Sequence, residues 1–324
     1  MNAPNPPIPL AEIERARETV GDAIVLTPLV RFDGPEVRAD TEIWLKLECL
    51  QPIGSFKLRG ALNAIRSAPS SAVAGGVATT SAGNMAQGVA WAARERGVPA
   101  TIVAPDHAPA TKLDAVERLG GTIVRVSREE WWQTMLDGRV AGTGLFVHPV
   151  QNDHVQAGNG TIGLELVEQL DGIDAVVVPW GGGGLFAGIA SALAALSPAT
   201  RAYAVQPDTA DALVASLEAG QPVETEYRHS FVDGAGAGLL LPGMWERARP
   251  LLAGAFAVST ADTAAAVRLL AERARVVAEG AGALALAAAL TGSAGTGRVV
   301  CIVSGGNIDA PVLAEILAGR TPKT

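Results

Sequence analysis

The sequence predicts an α/β protein in which short parallel strands alternate with helices. Glycine clusters follow several of the predicted strands, and ligands of such folds bind at the carboxyl ends of strands. The alternation itself is typical of a parallel sheet that helices cover on both faces. Short β-branched runs each precede a segment of helical character at Val77–Thr80, Thr101–Ala104, Thr122–Val126, Ala175–Pro179, Ala202–Gln206 and Val299–Val303.

These strand–helix units fall into two sets, and no long linker separates them. We therefore expect two lobes with a cleft between them. The small domain is predicted at residues 75–149, and the large domain is predicted to be discontinuous, at residues 1–74 and 150–324. The proline-rich segment Met1–Pro9 lacks the basic and apolar regions of a signal peptide and is expected to form a loose arm.

Composition excludes several classes of function. The chain has 324 residues, 48% of them hydrophobic, which allows a sizeable core. Its net charge of −8 disfavours nucleic acid as a partner. Cys49 and Cys301 have no metal-ligand spacing, which argues against a disulfide framework or a zinc site and fits the cytoplasm. The apolar run Ala283–Leu290 is too short to span a membrane, so we expect a buried helix and no membrane partner.

Lys57 is the first candidate for chemistry, because it follows a glycine turn and opens a helical pattern. A helix N-terminus and the neighbouring Arg59 both disfavour a further positive charge, which would lower the pKa of Lys57 and favour the free amine. A single lysine at a helix start is also typical of an ordinary surface residue. The pattern at Lys57 alone leaves both interpretations open.

Two polar turns follow predicted strands. In the segment Thr79–Gly88 a Ser/Gly/Asn turn leads into a helix, whose N-terminal N–H groups would suit a carboxylate, although helix capping explains the same residues. In Val299–Asn307 the hydroxyl of Ser304 lies beside glycines where a strand ends. An ordinary Ser-Gly turn accounts for this segment equally well.

Gly181–Gly184 form the strongest local signal, between a predicted strand and a helix at Leu185–Leu196. Four consecutive glycines cost chain entropy, and they favour a backbone that approaches a phosphate closely with its N–H groups. A P-loop is excluded because no Gly-Lys-Ser/Thr follows. A dinucleotide site stays open, since Gly182–Ala187 matches Gly-x-Gly-x-x-Ala and Asp208 follows the next strand.

Five motifs, taken together and in order, resemble the fold type II pyridoxal-phosphate enzymes, specifically the serine/threonine dehydratase and serine racemase group. They are Gly54–Gly60, Ser81–Asn84, Gly181–Leu185, Glu279–Ala283 and Ser304–Asn307, with further matches at Lys46–Glu48 and Ala157–Glu165. The resemblance covers nearly the whole chain and implies a two-lobed fold like that of the tryptophan synthase β subunit. The dinucleotide interpretation explains one of these motifs, so pyridoxal 5'-phosphate is the favoured cofactor.

The resemblance also implies a role for each motif. Lys57 would hold the cofactor as a Schiff base and later remove the Cα proton of the substrate, Asn84 would bind the phenolic oxygen, and Ser304 would face the pyridine nitrogen. The implied cofactor contacts are Phe56, Lys57, Asn84, Gly181, Gly182, Gly183, Gly184, Leu185 and Ser304. The implied substrate contacts are Ser81, Ala82, Gly83, Asn84 and Glu279.

The activity that the resemblance implies is β-elimination of water from a β-hydroxy amino acid such as L-serine or L-threonine, which yields a 2-oxo acid and ammonia. Racemases of this group place a second hydroxyl base at the position of Ala82, and alanine cannot transfer a proton, so elimination is favoured over racemisation. β-Replacement, as in cysteine synthase relatives, and non-catalytic binding remain alternatives. We also expect a homodimer, because relatives are commonly dimers.

The sequence departs from the family pattern at three places. Met85 stands where the family has histidine, and it either fills space or marks a different substrate side chain. Gln206 and Ala212 stand where many relatives have carboxylate ligands, so no metal ion is expected. Phe231–Gly238 resembles the family's Ala-Asp-Gly loop only loosely, and the prediction of substrate specificity is weakest there.

Overall fold

The computed structural model describes residues 5–106, 108 and 110–323. It consists of two β-sheets with helices packed around them. The strands are β1 (Leu29–Phe32), β2 (Thr41–Lys46), β3 (Val77–Thr80), β4 (Ala100–Pro105), β5 (Gly121–Val126), β6 (Leu145–Phe146), β7 (Ala175–Pro179), β8 (Arg201–Pro207), β9 (Gly254–Val258) and β10 (Gly297–Ile302).

The α-helices lie between and around these strands. They are α1 (Leu10–Val20), α2 (Lys57–Ser67), α3 (Ser70–Val73), α4 (Asn84–Arg96), α5 (Ala110–Arg118), α6 (Arg128–Asp137), α7 (Asp153–Gln169), α8 (Gly184–Leu196), α9 (Ala212–Ala219), α10 (Met244–Ala248), α11 (Thr260–Leu269), α12 (Gly280–Leu290) and α13 (Ala310–Leu317). No helix among the described residues is long and apolar enough to cross a membrane.

The strands form two sheets. The larger sheet has the order β1-β2-β10-β7-β8-β9, and the smaller sheet has the order β5-β4-β3-β6. All pairings are parallel except that of β1 with β2. This arrangement confirms the predicted α/β class with parallel strands and flanking helices.

The larger sheet is covered on both faces, as the alternation of side chains along β10 shows. Val299 and Cys301 lie in one hydrophobic cluster with Leu284 of α12. Val300 and Ile302 lie in another cluster, on the side of α8. Because successive strand residues point to opposite faces, an unbroken apolar run indicates a strand with no solvent-exposed face.

The smaller sheet packs against α2 and α4, so the helix that begins at Lys57 belongs to its core. Leu62 and Ile65 of α2, Val89 of α4 and Ile102 of β4 are all fully buried in one cluster. The lysine therefore sits at the start of a helix that is held firmly by packing.

A buried ion network ties α2 to the larger sheet. Arg59 is fully buried and binds Glu48 through Nε at 2.7 Å and Glu165 of α7 through Nη1 at 2.6 Å. Lys46, at the end of β2, pairs with the other oxygen of Glu165. Two cations thus balance two carboxylates, as buried charges require.

The six strands predicted from β-branched runs all occur, with ends that differ by no more than two residues. β1, β2, β6 and β9 were not predicted. The prediction of a loose N-terminal arm is wrong for residues 5–9, the part of it that the structure describes. Ile8 is 4% exposed, its N–H donates to Ser191 Oγ at 3.0 Å, and Arg247 donates to the Pro6 carbonyl at 2.9 Å, so residues 5–9 are docked rather than loose.

Candidate active site

The Lys57 turn is joined to the Ser304 turn by backbone hydrogen bonds. The Phe56 N–H donates to the Ser304 carbonyl at 3.0 Å, and the Gly306 N–H donates to the Gly54 carbonyl at 2.9 Å. Ser304 itself is 3% exposed. The first and fifth of the five motifs, which are far apart in the chain, therefore meet at the carboxyl end of β10.

Lys57 projects its amine into a weakly polar environment. Nζ donates to the Pro149 carbonyl at 3.2 Å and lies 5.1 Å from the centroid of the Phe56 ring. Loss of hydration lowers the pKa of Lys57 to about 8, and the negative charge of Glu279 partly opposes this change. The amine therefore exists partly in its neutral, nucleophilic form near neutral pH.

The cause of this lowered pKa differs from the prediction. We expected Arg59 to repel a second positive charge, but Arg59 is bound to Glu48 and Glu165, which neutralise it. Burial of Lys57 is the main cause instead. The direction of the shift agrees with the prediction, whereas the reasoning from Arg59 was wrong because the ion network could not be read from sequence spacing.

His148 was not predicted, although it helps to shape the site. Its Nδ1 accepts the N–H groups of Val150 at 3.0 Å and Gln151 at 2.8 Å, which fixes the turn that contains Pro149. Burial, and secondarily the charge of Lys57, lower the pKa of His148 to about 4. The imidazole is therefore neutral at physiological pH, and its role here is to position the carbonyl that Lys57 binds.

Asn84 and Glu279 form a hydrogen-bonded chain with Asn307. Asn84 Nδ2 donates to Glu279 Oε1 at 2.7 Å, and Asn307 Nδ2 donates to Asn84 Oδ1 at 2.7 Å. The Glu279 N–H donates to the Gly305 carbonyl at 3.0 Å. Three of the motifs, those that contain Asn84, Glu279 and Asn307, thus converge. The sequence had placed Asn307 in a motif but had given it no role.

The turn from Ser81 to Asn84 presents a helix N-terminus. Ser81 Oγ accepts the Gly83 N–H at 3.2 Å, and α4 begins at Asn84 without a side-chain cap. A Cβ placed on Gly83 would meet no atom within 4 Å, so space is available in front of the turn. Free N–H groups next to open space suit a carboxylate.

The glycine loop, residues 181–184, is the part of the site that shows whether a phosphate group could bind. Gly183 has φ 95°, which favours glycine, and α8 begins after it without a side-chain cap. The N–H groups of residues 181–186 have no backbone acceptor within the described part of the chain. A Cβ on Gly182 would lie 2.5 Å from Val150 Cγ2, so the close packing requires glycine.

The amine and the glycine loop are neighbours, because Val150 packs on Gly182 and follows Pro149, whose carbonyl binds Lys57. A reactive amine beside a row of unpaired N–H donors at a helix N-terminus fits an aldehyde that carries a phosphate. The residues present therefore fit pyridoxal phosphate. Leu185, the last residue of this loop motif, is 5% exposed and packs in the core of the larger sheet.

Comparison with known proteins decides the family. The model of the pyridoxal-phosphate dependent enzymes matches residues 20–305. The chain belongs to this family. Its cofactor is pyridoxal 5'-phosphate, and its fold is that of the fold type II enzymes, as the resemblance predicted.

Individual relatives of this pyridoxal-phosphate enzyme are lyases and racemases. An L-threonine ammonia-lyase of Thermotoga maritima is 38% identical over 96% of this chain and 78% of its own length. A beta-hydroxyaspartate dehydratase of Paracoccus denitrificans is 37% identical over 91% of this chain and 94% of its own length. The solved structure of maize serine racemase aligns with a TM-score of 0.85 and 33% identity, and covers 96% of this chain and 97% of that one. The protein is a pyridoxal-phosphate-dependent lyase.

The positions where the sequence departs from the family pattern are also defined. Met85 is 2% exposed and packs in the core around α2 and α4. Gln206 Oε1 accepts the Leu213 N–H at 2.9 Å, and Ala212 begins α9. Among the described residues, no group of three or more His, Cys, Asp or Glu side chains could hold a metal ion. That no metal binds stays a prediction.

Proposed function

We propose that the enzyme removes water from a β-hydroxy amino acid of the L-serine or L-threonine type and releases a 2-oxo acid and ammonia. The placement of Lys57 carries this proposal, because its amine is partly neutral and lies beside the glycine loop. The relatives named ammonia-lyase and dehydratase support the same reaction type.

In the proposed site, Lys57 would hold the cofactor through its amine and would serve as the base toward the Cα proton of the substrate. Gly181, Gly182, Gly183 and Gly184 would bind the phosphate with backbone N–H groups, and Leu185 and Phe56 would line the cofactor. Asn84 would donate to the phenolic oxygen, and Ser304 would face the pyridine nitrogen. Bound pyridoxal phosphate supplies an electron sink, which makes the Cα proton acidic and promotes loss of the β-hydroxyl.

The substrate carboxylate is bound by the turn of Ser81, Ala82, Gly83 and Asn84, where helix N–H groups face open space. Glu279 lies beside the substrate and orients Asn84 through their 2.7 Å hydrogen bond. The overall reaction balances: the amino acid loses a proton from Cα and hydroxide from Cβ, and the released enamine takes up water as it becomes the 2-oxo acid and ammonia.

Ala82 favours elimination over racemisation. Inversion at Cα needs a proton donor on the face opposite the lysine. Ala82 has no titratable group, and it packs against an apolar cluster that includes Ala104 and Leu113. We therefore propose that proton transfer takes place on the lysine side only, and that D-amino acid is a minor product.

The assembly and location of the enzyme are proposals as well. We propose a homodimer that works in the cytoplasm on a small amino acid. We also propose that residues 75–149, which contain β3 to β6, act as the small domain against a large domain of residues 1–74 and 150–324.

The test is a comparison of three purified proteins in the presence of pyridoxal phosphate. The wild type should show a protein-bound visible absorbance and convert L-serine or L-threonine into equal amounts of 2-oxo acid and ammonia. Lys57→Ala should lose both the absorbance and the activity. Lys323→Ala, which changes an exposed lysine, should retain both. A wild type without bound cofactor absorbance, or a Lys57→Ala variant with full activity, would refute the proposal.

A further inference from the structure

A large cavity adjoins the glycine loop. Its volume is about 750 Å³, and Gly181, Gly182 and Val150 form part of its wall. The other walls come from α6 and from the segment 224–241. This volume is within the range of about 300–1,000 Å³ that is typical of small-molecule sites. The side chains of serine and threonine are too small to fill a space of this size.

The wall of the cavity is aromatic and aliphatic. Trp131 and Met135 contribute from α6, and Tyr227, Leu239 and Leu241 contribute from the opposite segment. Met135 is 8% exposed and therefore forms part of the inner wall. A surface of this kind gains free energy when it is covered by an apolar group, and aromatic rings add preferred ring-to-ring contacts.

The acidic and basic residues that border the cavity, and one histidine, lie at its rim. Arg128, Glu129, Glu224 and His229 line it, and all four are exposed to solvent. Burying a carboxylate requires a paired cation, and Arg128 is the only Arg or Lys among the described residues that border the cavity. The interior is thus poorly suited to an acidic side chain such as that of β-hydroxyaspartate, the substrate in the name of one relative.

One wall residue of the cavity contacts the residue that precedes the proposed substrate turn. Met135 Sδ accepts the hydroxyl of Thr80 at 3.2 Å, and Thr80 directly precedes Ser81. On its other side the cavity is bordered by Val150, next to the Pro149 carbonyl that binds Lys57. A substrate whose carboxylate lies at the Ser81 turn and whose Cα lies at Lys57 would have this cavity as the open space for its β-substituent.

We propose that this cavity receives the substrate side chain, and that the preferred substrates are β-hydroxy amino acids with an aryl or similarly large apolar group on the β-carbon. This inference rests on the proposed function, because it places the substrate by the same turn and the same lysine. The space suffices, since a cavity of about 150 Å³ can already hold a benzene ring.

The experiment compares holoenzyme activity on L-threo-phenylserine, L-threonine and β-hydroxyaspartate by release of 2-oxo acid. We expect kcat/KM for phenylserine to exceed that for threonine by about tenfold or more, because even one methylene in an apolar pocket changes specificity by about tenfold. Trp131→Ala should reduce the phenylserine-to-threonine ratio by about tenfold. Leu136→Ala, on the same helix but 50% exposed and outside the cavity, should leave that ratio unchanged.

The possible results separate this inference from the proposed function. Good activity on threonine with little on phenylserine would overturn the inference and leave the lyase intact. A preference for β-hydroxyaspartate would overturn it in favour of an acidic side chain. If Leu136→Ala lowered the phenylserine-to-threonine ratio as much as Trp131→Ala does, the assignment of Trp131 to the side-chain pocket would be overturned.

A binding measurement decides the inference even if no hydroxy amino acid is converted. L-Phenylalanine and L-alanine have no β-hydroxyl and cannot lose water, so the difference between their affinities in calorimetric titration of the holoenzyme reports the contribution of the cavity. Tighter binding of phenylalanine by about tenfold, lost in Trp131→Ala, supports the inference. Equal affinity for the two amino acids overturns it, whatever the outcome for the lyase reaction.

Discussion

Replacing Arg59 with methionine should destabilise the enzyme strongly and in a pH-dependent way. Arg59 is fully buried between Glu48 and Glu165 and lies two residues after Lys57 in α2. Methionine fills much of the same space without a charge. Two buried carboxylates then share the single positive charge of Lys46, which pairs with Glu165.

The expected size of the effect follows from the cost of an unpaired buried charge. Breaking a buried ion pair by removing one partner costs about 3–5 kcal/mol. A chain of 324 residues unfolds with an entropy of about 0.7 kcal/mol per kelvin. The melting temperature at neutral pH should therefore fall by about 4–7 °C.

The pH dependence should have opposite signs in the two proteins. In the wild type, Arg59 holds the pKa of Glu48 below its ordinary value despite burial. Glu48 therefore contributes stability above its unfolded pKa, and that stability is lost as the pH falls through the folded pKa. In Arg59→Met, burial dominates and the pKa of Glu48 rises, so the penalty is full at neutral pH and shrinks on acidification.

The assay is thermal unfolding of both holoenzymes at pH 7.5 and pH 5 with equal free pyridoxal phosphate, since a bound cofactor itself stabilises the fold. Arg31→Met serves as the control, because Arg31 pairs with Asp33 at the surface with half of its side chain exposed. That change should cost less than about 1 kcal/mol. A variant as stable as this control, or a wild-type-to-variant difference that grows on acidification, would refute the reasoning.

Two further predictions concern the cofactor site itself. Because the neutral amine of Lys57 is the nucleophile, the rate at which cofactor-free enzyme combines with added pyridoxal phosphate should rise with pH around a midpoint near 8. Glu279→Gln should move that midpoint lower, since Glu279 raises the pKa of Lys57; an unchanged or higher midpoint in stopped-flow measurements would contradict this. Gly182→Ala should weaken cofactor binding by about tenfold or more in equilibrium dialysis, because its Cβ would lie 2.5 Å from Val150 Cγ2. Gly254→Ala, whose Cβ would meet Tyr203 only at 3.4 Å, should bind the cofactor normally.

The central strands were predictable from the sequence because burial on both faces leaves a continuous apolar run. β7 has five buried residues in succession, and the prediction for Ala175–Pro179 matched its bounds. β9 (Gly254–Val258) has one strand neighbour, β8, and its residues are mostly partly exposed. Its alanine-rich sequence carries no comparable signal. β1 pairs antiparallel at the opposite edge, where the strand–helix alternation does not apply.

The docked N-terminal segment and the cavity were missed for a different reason. Both depend on contacts across long stretches of chain, such as those of Arg247 with Pro6 and the cavity wall shared by Trp131 and Tyr227. A proline-rich terminus and a pair of tryptophans on a helix have many possible partners. Periodicity predicts which face of an element is apolar, but it does not predict what lies opposite.

Lys46 and Lys57 show why the reactive lysine could be named only by resemblance. Both are near the ends or beginnings of regular elements, and neither position is distinctive by spacing. Lys46 Nζ is held by the Thr27 carbonyl at 2.9 Å, by Gln169 at 2.8 Å and by Glu165, which uses all three of its donors. Lys57 Nζ has the Pro149 carbonyl at 3.2 Å as its one hydrogen-bond acceptor among the described residues.

This difference in partners has a chemical consequence. Burial lowers the pKa of Lys46 as well, but three acceptors, one of them a carboxylate, occupy the N–H donors of its amine and hold it in place. An amine with one distant carbonyl, little hydration and a pKa of about 8 loses its proton easily and remains free to turn toward a carbonyl carbon. The ion network therefore serves the site indirectly, because it uses Lys46, Arg59, Glu48 and Glu165 to anchor α2, while no carboxylate in the described part of the chain forms an ion pair with Lys57.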